Sequence, residues 1–254
     1  MGRADAPGGV WAKVPQVTLG FWILKIVATT LGETGGDAVT MSMGTGYLAG
    51  TAIFAALFAA AVLAQVRAAR FNAWLYWATI VASTTVGTTL ADFADRSLGI
   101  GYTGGTMLLL VLLLGSLATW RRSTGTVAVD AVADARSEGF YWATIMFSQT
   151  LGTALGDWAA DTAGQGYIGG IAIFAGLLAL VAMLHFFTRM SRTALFWAAF
   201  ILTRPLGAVL GDFLDKPQDH GGLAISRYAA SLILVGLVAA GVALLPQAPA
   251  RRAH

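Results

Sequence analysis

One seven-residue phrase recurs four times along this chain of 254 residues, over residues 31–37, 86–92, 151–157 and 206–212. Each copy ends in an aspartate that follows a small residue. A tryptophan stands fifteen residues before each aspartate, as Trp22 does before Asp37, and a glycine stands nine residues after it, as Gly46 does. Because the spacing is the same in all four copies, the sequence predicts a fold built from four duplicated units.

The composition places these units in a membrane. Hydrophobic residues make up 57% of the chain and charged residues only 11%, and the apolar runs are long enough to cross a bilayer. We predict eight spans, at residues 17–40, 46–66, 72–94, 102–120, 139–161, 167–188, 193–214 and 223–245. The predicted fold is an all-α polytopic membrane protein, with eight transmembrane helices arranged as four parallel two-helix repeats around a central polar axis.

The predicted domain organisation is one membrane domain over residues 1–245. Its repeats are assigned to residues 17–70, 71–122, 138–190 and 191–245, with a cytoplasmic linker at 123–137 and a cytoplasmic tail at 246–254. Lysine and arginine concentrate on one side of the spans, and the opposite side carries only Arg96, Lys216 and Arg227. The positive-inside rule therefore predicts that both termini are cytoplasmic. Since each repeat crosses the membrane twice, the repeats should be parallel rather than inverted.

The odd-numbered spans carry glycines, hydroxyl groups and the aspartates, whereas the even-numbered spans are plainly apolar. We expect the odd helices inside and the even helices toward lipid. Small residues four apart, such as Gly32 and Gly36, would let the odd helices approach closely, and this packing role is an alternative explanation for the glycines. A carboxylate is costly inside a membrane, so four at equivalent places indicate a functional site. The candidate metal ligands are Asp37, Asp92, Asp157 and Asp212, with Glu33 as a further ligand or proton carrier.

A polar stripe precedes each aspartate at helical spacing and predicts a pathway toward the cytoplasm. Its members are Lys25, Thr29, Thr84, Thr88, Gln149, Thr153 and Arg204. Asp161, four residues beyond Asp157, is a further candidate. Lys25 and Arg204 are the expected internal counterions. Five embedded carboxylates against two cations predict that the site holds a cation, protons or both. The alternative is that the hydroxyls bond their own backbone and the ions neutralise one another.

Further acidic residues follow the repeated aspartates, namely Asp95, Asp161, Asp215 and Asp219. They would form an outer vestibule that concentrates cations, or they are solvated loop charges. Pro205 is expected to kink or break the seventh span, either as a moving element or as a fixed bend.

The residue types restrict the ligand chemistry. The chain has no cysteine and three scattered histidines, so oxygen ligands predict manganese, magnesium or calcium rather than copper or zinc. No organic cofactor is predicted. No nucleic-acid partner is predicted either, because the surplus of basic residues follows the membrane topology. Glycine-lined faces leave room for a homodimer.

These features predict a divalent-cation transporter. One alternative is a proton-coupled carrier of a small organic cation or metabolite, which an aromatic cage of the four repeat tryptophans would favour, although an interfacial belt is the more ordinary role for them. A second alternative is a non-transporting scaffold or sensor. An enzyme is not predicted, because equivalent carboxylates in parallel repeats suit a binding ring better than opposed acid and base roles.

The four Gly-x-x-x-small-Asp copies, spread over residues 17–245, resemble a bacterial family of small integral membrane proteins that are usually described only as membrane-anchored proteins. The resemblance implies an inner-membrane location and no specific chemistry.

Overall fold

The computed structural model describes residues 12–250, and eight long α-helices account for most of them. The helices are α1 (Leu19–Asp37), α2 (Tyr47–Arg67), α3 (Ala73–Asp92), α4 (Tyr102–Thr124), α5 (Ala135–Asp157), α6 (Gly166–Phe187), α7 (Arg192–Asp215) and α8 (Arg227–Leu244). No β-strand is present within residues 12–250. The predicted all-α fold with eight helices is therefore confirmed.

Five helices, α2, α4, α6, α7 and α8, are long and apolar enough to cross a membrane. The remaining three helices, α1, α3 and α5, have 19 to 23 residues. These three carry most of the polar stripe, which lowers their hydropathy. The chain is thus a helical membrane protein in which the polar helices are hidden by apolar ones.

The four odd-numbered helices form a closed inner ring. Each packs against two ring neighbours, in the order α1, α3, α5, α7 and back to α1. The odd helices bury most of their residues, whereas each even helix buries two or three. The inner and outer positions predicted from hydropathy are those found in the structure.

The even helices interlock the repeats. Each packs mainly on the odd helix of the following repeat, α2 on α3, α4 on α5 and α6 on α7, and α8 closes the circle on α1. A repeat therefore buries little surface against itself, and all four repeats are needed to complete the ring.

Glycines set the close approach of the odd helices. A Cβ atom on Gly152 would collide with the Arg204 side chain of α7, and the equivalent Gly32 lies against Thr84 of α3. Gly207 likewise leaves room for Thr29, whose hydroxyl donates to the Thr203 carbonyl oxygen at 3.2 Å. These glycines act as packing faces, the alternative role that the small-residue spacing allowed.

We call the end of the ring where the odd helices finish the outer end and the opposite end the inner end. An aromatic cluster fills the inner end, where the Tyr76 and Tyr141 hydroxyls lie 2.6 Å apart. Trp77, Trp142 and Trp197 are buried in this cluster, so the expectation that they form an interfacial belt is wrong. Their rings turn between the odd helices and pack on neighbouring aromatic rings at centroid distances of 5 to 6 Å, which leaves no open cage among them.

The chain segments outside the helices cover the inner end. Backbone hydrogen bonds join Lys13 N–H to the Val132 carbonyl oxygen at 3.0 Å and Ala12 N–H to the Ala250 carbonyl oxygen at 3.3 Å. The Trp197 indole N–H donates to the Val127 carbonyl oxygen at 2.9 Å. The predicted linker, which α4 and α5 shorten by extending into it, is thus an ordered cap. Residues 251–254 of the predicted tail lie outside the described residues.

Helix α7 continues through Pro205 as one helix. The proline therefore does not break the seventh span. In contrast, α1, α3 and α5 each end in a π-helical segment directly after the repeated aspartate, at residues 38–42, 93–97 and 158–162. Such segments widen the helix and are frequent at functional sites.

Candidate functional site

The four repeated aspartates lie at the outer end of the odd helices at equivalent positions, and all four are at least 95% buried. Moving inward one turn at a time, the ring of helices presents three further layers. The first layer holds Glu33, Thr88, Thr153 and Ala208; the second holds Thr29, Thr84, Gln149 and Arg204; the third holds Lys25, Ile80, Ile145 and Phe200. Every member is buried.

Two basic residues bridge neighbouring aspartates. Lys216 donates to Asp37 Oδ2 at 2.7 Å and lies 3.0 Å from Asp212 Oδ1. Arg96 lies 2.8 Å from Asp92 Oδ1 and 3.9 Å from Asp157 Oδ2. From the sequence, Arg96 and Lys216 were both assigned to the side of the spans that carries few basic residues. The i,i+4 spacing from Asp92 to Arg96 and from Asp212 to Lys216 is the signal that could have revealed them.

A third outer residue completes the charge pattern. Arg227, at the start of α8, lies 3.7 Å from Asp37 Oδ2 and 3.4 Å from Asp215 Oδ2. Asp215 is buried, so for this residue the interpretation as solvated loop charge is wrong. Asp161 and Asp219 are exposed, and Asp95 is half-buried beside Gly105. The structure therefore brings only Asp215 of these residues into the cluster.

The predicted counterions differ in their placement. Arg204 is fully buried and donates to Glu33 Oε2 at 2.9 Å and to the hydroxyls of Thr88 and Thr153. Lys25 makes no ion pair with any described residue; its ammonium lies 4.0 Å from the centre of the Phe200 ring. Since Lys25 stands eight residues before Glu33, the helical rise places it ~12 Å deeper. Its predicted role as a counterion of the carboxylates is wrong.

The polar stripe ends inside the ring. Several of its hydroxyls donate hydrogen bonds to backbone oxygens, as Thr29 does to the Ile26 carbonyl oxygen at 2.9 Å. This agrees with the alternative explanation, in which the hydroxyls bond their own backbone. Gln149 donates to the Ser83 hydroxyl at 3.3 Å. Deeper in the ring, Ile80, Ile145 and Phe200 are fully buried. The predicted pathway toward the cytoplasm is therefore closed at its inner end in this conformation.

The charges of the outer end do not cancel. Within the described chain, the cluster contains the six carboxylates Glu33, Asp37, Asp92, Asp157, Asp212 and Asp215, and the four cations Arg96, Arg204, Lys216 and Arg227. Six negative groups against four positive groups leave two negative charges. The five-to-two count from sequence differs because Arg96, Lys216, Arg227 and Asp215 fold into the site and Lys25 lies outside it.

Two sets of carboxylate oxygens lie close enough to share an ion. One oxygen each from Glu33, Asp157 and Asp212 fall within 4.8 Å of one another, and Asp37, Asp212 and Asp215 form a second such set. Oxygens on opposite sides of one calcium-sized ion are ~5 Å apart, and magnesium needs a slightly tighter set. In the first set, Asp157 Oδ1 is buried and accepts no hydrogen bond from the described residues. This oxygen is free to bind a ligand.

The geometry defines a class of protein: a helical membrane protein with a four-repeat ring and a buried carboxylate cluster at one end. A protein-family model described as Repeat of Unknown Function (DUF347) matches the chain four times, at residues 20–71, 75–126, 140–191 and 195–246. The chain belongs to this family, and the resemblance to a four-repeat family without assigned function is confirmed. No curated protein and no solved structure matches the chain.

Proposed function

We propose that this protein is a divalent-cation transporter of the bacterial inner membrane, with both termini in the cytoplasm, and that the carboxylate cluster binds the transported ion. Hard oxygen ligands suit manganese, magnesium or calcium. The observation that carries the proposal is the set of Glu33, Asp157 and Asp212. These three buried carboxylates come from three different helices, and one oxygen of each lies within 4.8 Å of the others. Asp157 Oδ1 accepts no hydrogen bond from residues 12–250.

The charge balance supports a divalent ion. The cluster carries two more negative than positive groups, and leaving them uncompensated at this burial would cost several kcal/mol per charge. One divalent cation would neutralise the excess. Two protons would do so as well, which is the basis of the proton-coupled carrier as a rival.

The access to the cluster supports transport in steps. Lys216 and Arg96 reach the outer surface with exposed fractions of 14% and 36%, whereas the inner half of the ring is filled with apolar and aromatic side chains. An ion entering from the outer end would stop at the carboxylates until the inner half separates. We propose that α7 moves in this step, because Pro205 lies within this helix and removes one of its backbone hydrogen bonds.

The organic-cation alternative receives no comparable support. An aromatic cage would favour it, but the repeat tryptophans pack against other rings at the end of the ring opposite the carboxylates. The scaffold alternative requires only that the charges fix helix register, and it predicts no saturable ion binding.

Calorimetry on the purified protein separates these functions. We expect saturable binding of manganese or another hard cation, and we expect Asp157→Asn and Asp212→Asn each to weaken it at least about tenfold, because each removes a charged ligand. Glu138→Gln is the matched control: Glu138 is equally buried and pairs with Lys13 at 2.7 Å, but it lies at the inner end. Ion flux into liposomes that follows binding in the same variants would support transport.

The absence of binding in wild type, with carboxylates that only take up protons, would favour the proton-coupled carrier. Binding that Glu138→Gln weakens as much as Asp157→Asn would contradict the assignment of the site to the outer end.

A further inference from the structure

A lysine side chain occupies the second carboxylate set. The oxygens of Asp37, Asp212 and Asp215 lie within 4.8 Å of one another, and the Lys216 ammonium sits against two of them, 2.7 Å from Asp37 Oδ2 and 3.0 Å from Asp212 Oδ1. The set thus already holds a monovalent cation that belongs to the chain.

The three carboxylates of this set carry more negative charge than the ammonium of Lys216 neutralises. Both Asp215 oxygens are buried and accept no hydrogen bond from the described residues, and the nearest cationic nitrogen is Arg227 Nε at 3.4 Å. Three carboxylates with one ammonium and one shared guanidinium retain unfilled ligand positions. Because Asp212 is common to both sets, the second set leads directly to the Glu33 and Asp157 oxygens.

Lys216 is placed so that it can leave. It is the first residue after α7, and the following residues fold back on the helix end through hydrogen bonds from Leu223 N–H to the Phe213 carbonyl oxygen at 2.7 Å and from Ile225 N–H to the Leu214 carbonyl oxygen at 2.9 Å. The backbone is therefore fixed, whereas the four-carbon side chain is 14% exposed and borders the outer surface. An ammonium is a strongly hydrated point charge on a flexible stem, so water compensates it well once it leaves.

The equivalent residues of the other repeats do not offer this arrangement. Met41 and Asp161 carry no positive charge, and Arg96 binds its aspartates through a planar guanidinium, which holds its geometry more rigidly than an ammonium. Only the pair of aspartates between α7 and α1 is bridged by a lysine.

We propose that Lys216 is a tethered competitor of the transported ion. The carboxylates of Asp37, Asp212 and Asp215 form an outer loading position for a hard divalent cation; the Lys216 ammonium occupies it when the position is empty and swings into solvent when the ion arrives. The return of the ammonium then favours movement of the ion toward Glu33 and Asp157. This inference rests on the proposed function.

Manganese binding to Lys216→Met, measured by calorimetry on the full-length protein, tests the competition. Removing the competitor should tighten binding at least about tenfold, since a unit charge a few ångströms away changes the affinity of a charged ligand by that much or more. The matched control is Lys13→Met. Lys13 has the same exposed fraction, 14%, and the same 2.7 Å distance to a carboxylate oxygen, that of Glu138, but it lies at the inner end. Its removal should change binding less than about threefold.

The outcomes separate this inference from the proposed function. Wild-type binding that Lys216→Met leaves unchanged or weakens would overturn the competition and leave the transporter proposal intact. Equal tightening in both variants would also overturn it, because it would indicate a general charge effect. Binding in Lys216→Met without binding in wild type would support a strong competitor. The absence of binding in wild type and in both variants would contradict the proposed function itself.

A charge-conserving variant keeps the test decisive if Lys216→Met does not fold. Lys216→Arg should weaken manganese binding at least about threefold without lowering the thermal unfolding midpoint, because a guanidinium binds two carboxylates more firmly than an ammonium does. Unchanged or tighter binding in Lys216→Arg would overturn the inference.

Discussion

The two ends of the inner ring use the same four helices in opposite ways. At the inner end, equivalent positions carry similar side chains: an aromatic residue followed by tryptophan in all four repeats, packed into one apolar cluster. At the outer end, the aspartates are common to the repeats, but the layer below them holds a glutamate, two threonines and an alanine. Similar residues suffice where the requirement is packing, whereas the proposed ion site draws different residues from different repeats, as Glu33, Asp157 and Asp212 do.

The outer end is also less symmetric in its charges. Arg96 bridges Asp92 and Asp157, and Lys216 bridges Asp37 and Asp212. In the part of the chain that the structure describes, no cation bridges Asp157 and Asp212, and none bridges Asp37 and Asp92. The first of these two openings coincides with the proposed binding set. The following variants test whether the inner end is structural and the outer end functional.

Replacing Arg204 should produce the largest loss of stability. Arg204→Met removes the partner of Glu33 inside the ring, and an unpaired buried charge costs ~3–5 kcal/mol. We expect a large decrease in the thermal unfolding midpoint in detergent. The double variant Arg204→Met/Glu33→Gln should recover most of the loss, because Glu33 no longer leaves a buried charge without its partner. A double variant as unstable as the single one would show that Arg204 acts by packing alone.

A glycine of the ring should come next. Gly152→Val places a branched side chain where Arg204 lies, so the helices must separate at an overpacking cost of ~1–3 kcal/mol. Gly176→Val is the matched control, because a Cβ atom at Gly176 meets no atom within 4 Å. We expect the unfolding midpoint to fall only in the first variant. Equal midpoints would contradict the close approach of α5 and α7.

The sequence predicted the ring better than it predicted the charge network. The constant spacing and the polarity of the odd spans are local features, and they placed the odd helices inside and the four aspartates together. The partners of Arg96 and Lys216 depend on which helices are neighbours in the closed ring. The sequence shows only the contact of each basic residue with the aspartate four positions before it. The contact of Arg96 with Asp157, or of Lys216 with Asp37, depends on the tertiary structure.

The position of the tryptophans shows a second limit. An aromatic residue near the end of a span suits an interfacial belt as well as a core, because both environments accept a large amphipathic ring. What decides between them here is the rotation of each odd helix, which turns Trp77 and Trp142 into the ring. That rotation follows from the interlocking of neighbouring repeats and not from the local sequence.

The inner cluster predicts a smaller effect that leaves ion binding intact. Tyr76→Phe removes the 2.6 Å hydrogen bond to Tyr141 and leaves a buried hydroxyl unsatisfied, at a cost of ~1–2 kcal/mol. In Tyr76→Phe/Tyr141→Phe both hydroxyls are gone, so part of the stability should return. Manganese affinity measured by calorimetry should stay within about twofold of wild type in both variants. A larger change in affinity would show that the two ends are not separate in function.

The smallest effect is expected at the inner cap, where Asp134 begins α5. Its Oδ1 accepts hydrogen bonds from the backbone N–H groups of Ser137 at 3.0 Å and Arg136 at 2.9 Å. These bonds lower the pKa of Asp134 below its ordinary 3.8, and the bond from the Ser137 N–H has the largest effect. The stabilisation is therefore complete above that ordinary value and is lost as the pH falls through the lower value in the folded protein.

Asp134→Ala should cost ~1 kcal/mol or less at pH 7, in the range of other N-cap replacements. The difference between its unfolding midpoint and that of wild type should shrink at pH values below 3.8. Asp134→Asn keeps the cap without a titrating group, so its midpoint relative to Asp134→Ala should not depend on pH in this way. If Asp134→Asn loses stability in parallel with wild type on acidification, the pH dependence belongs to another group of the inner cap.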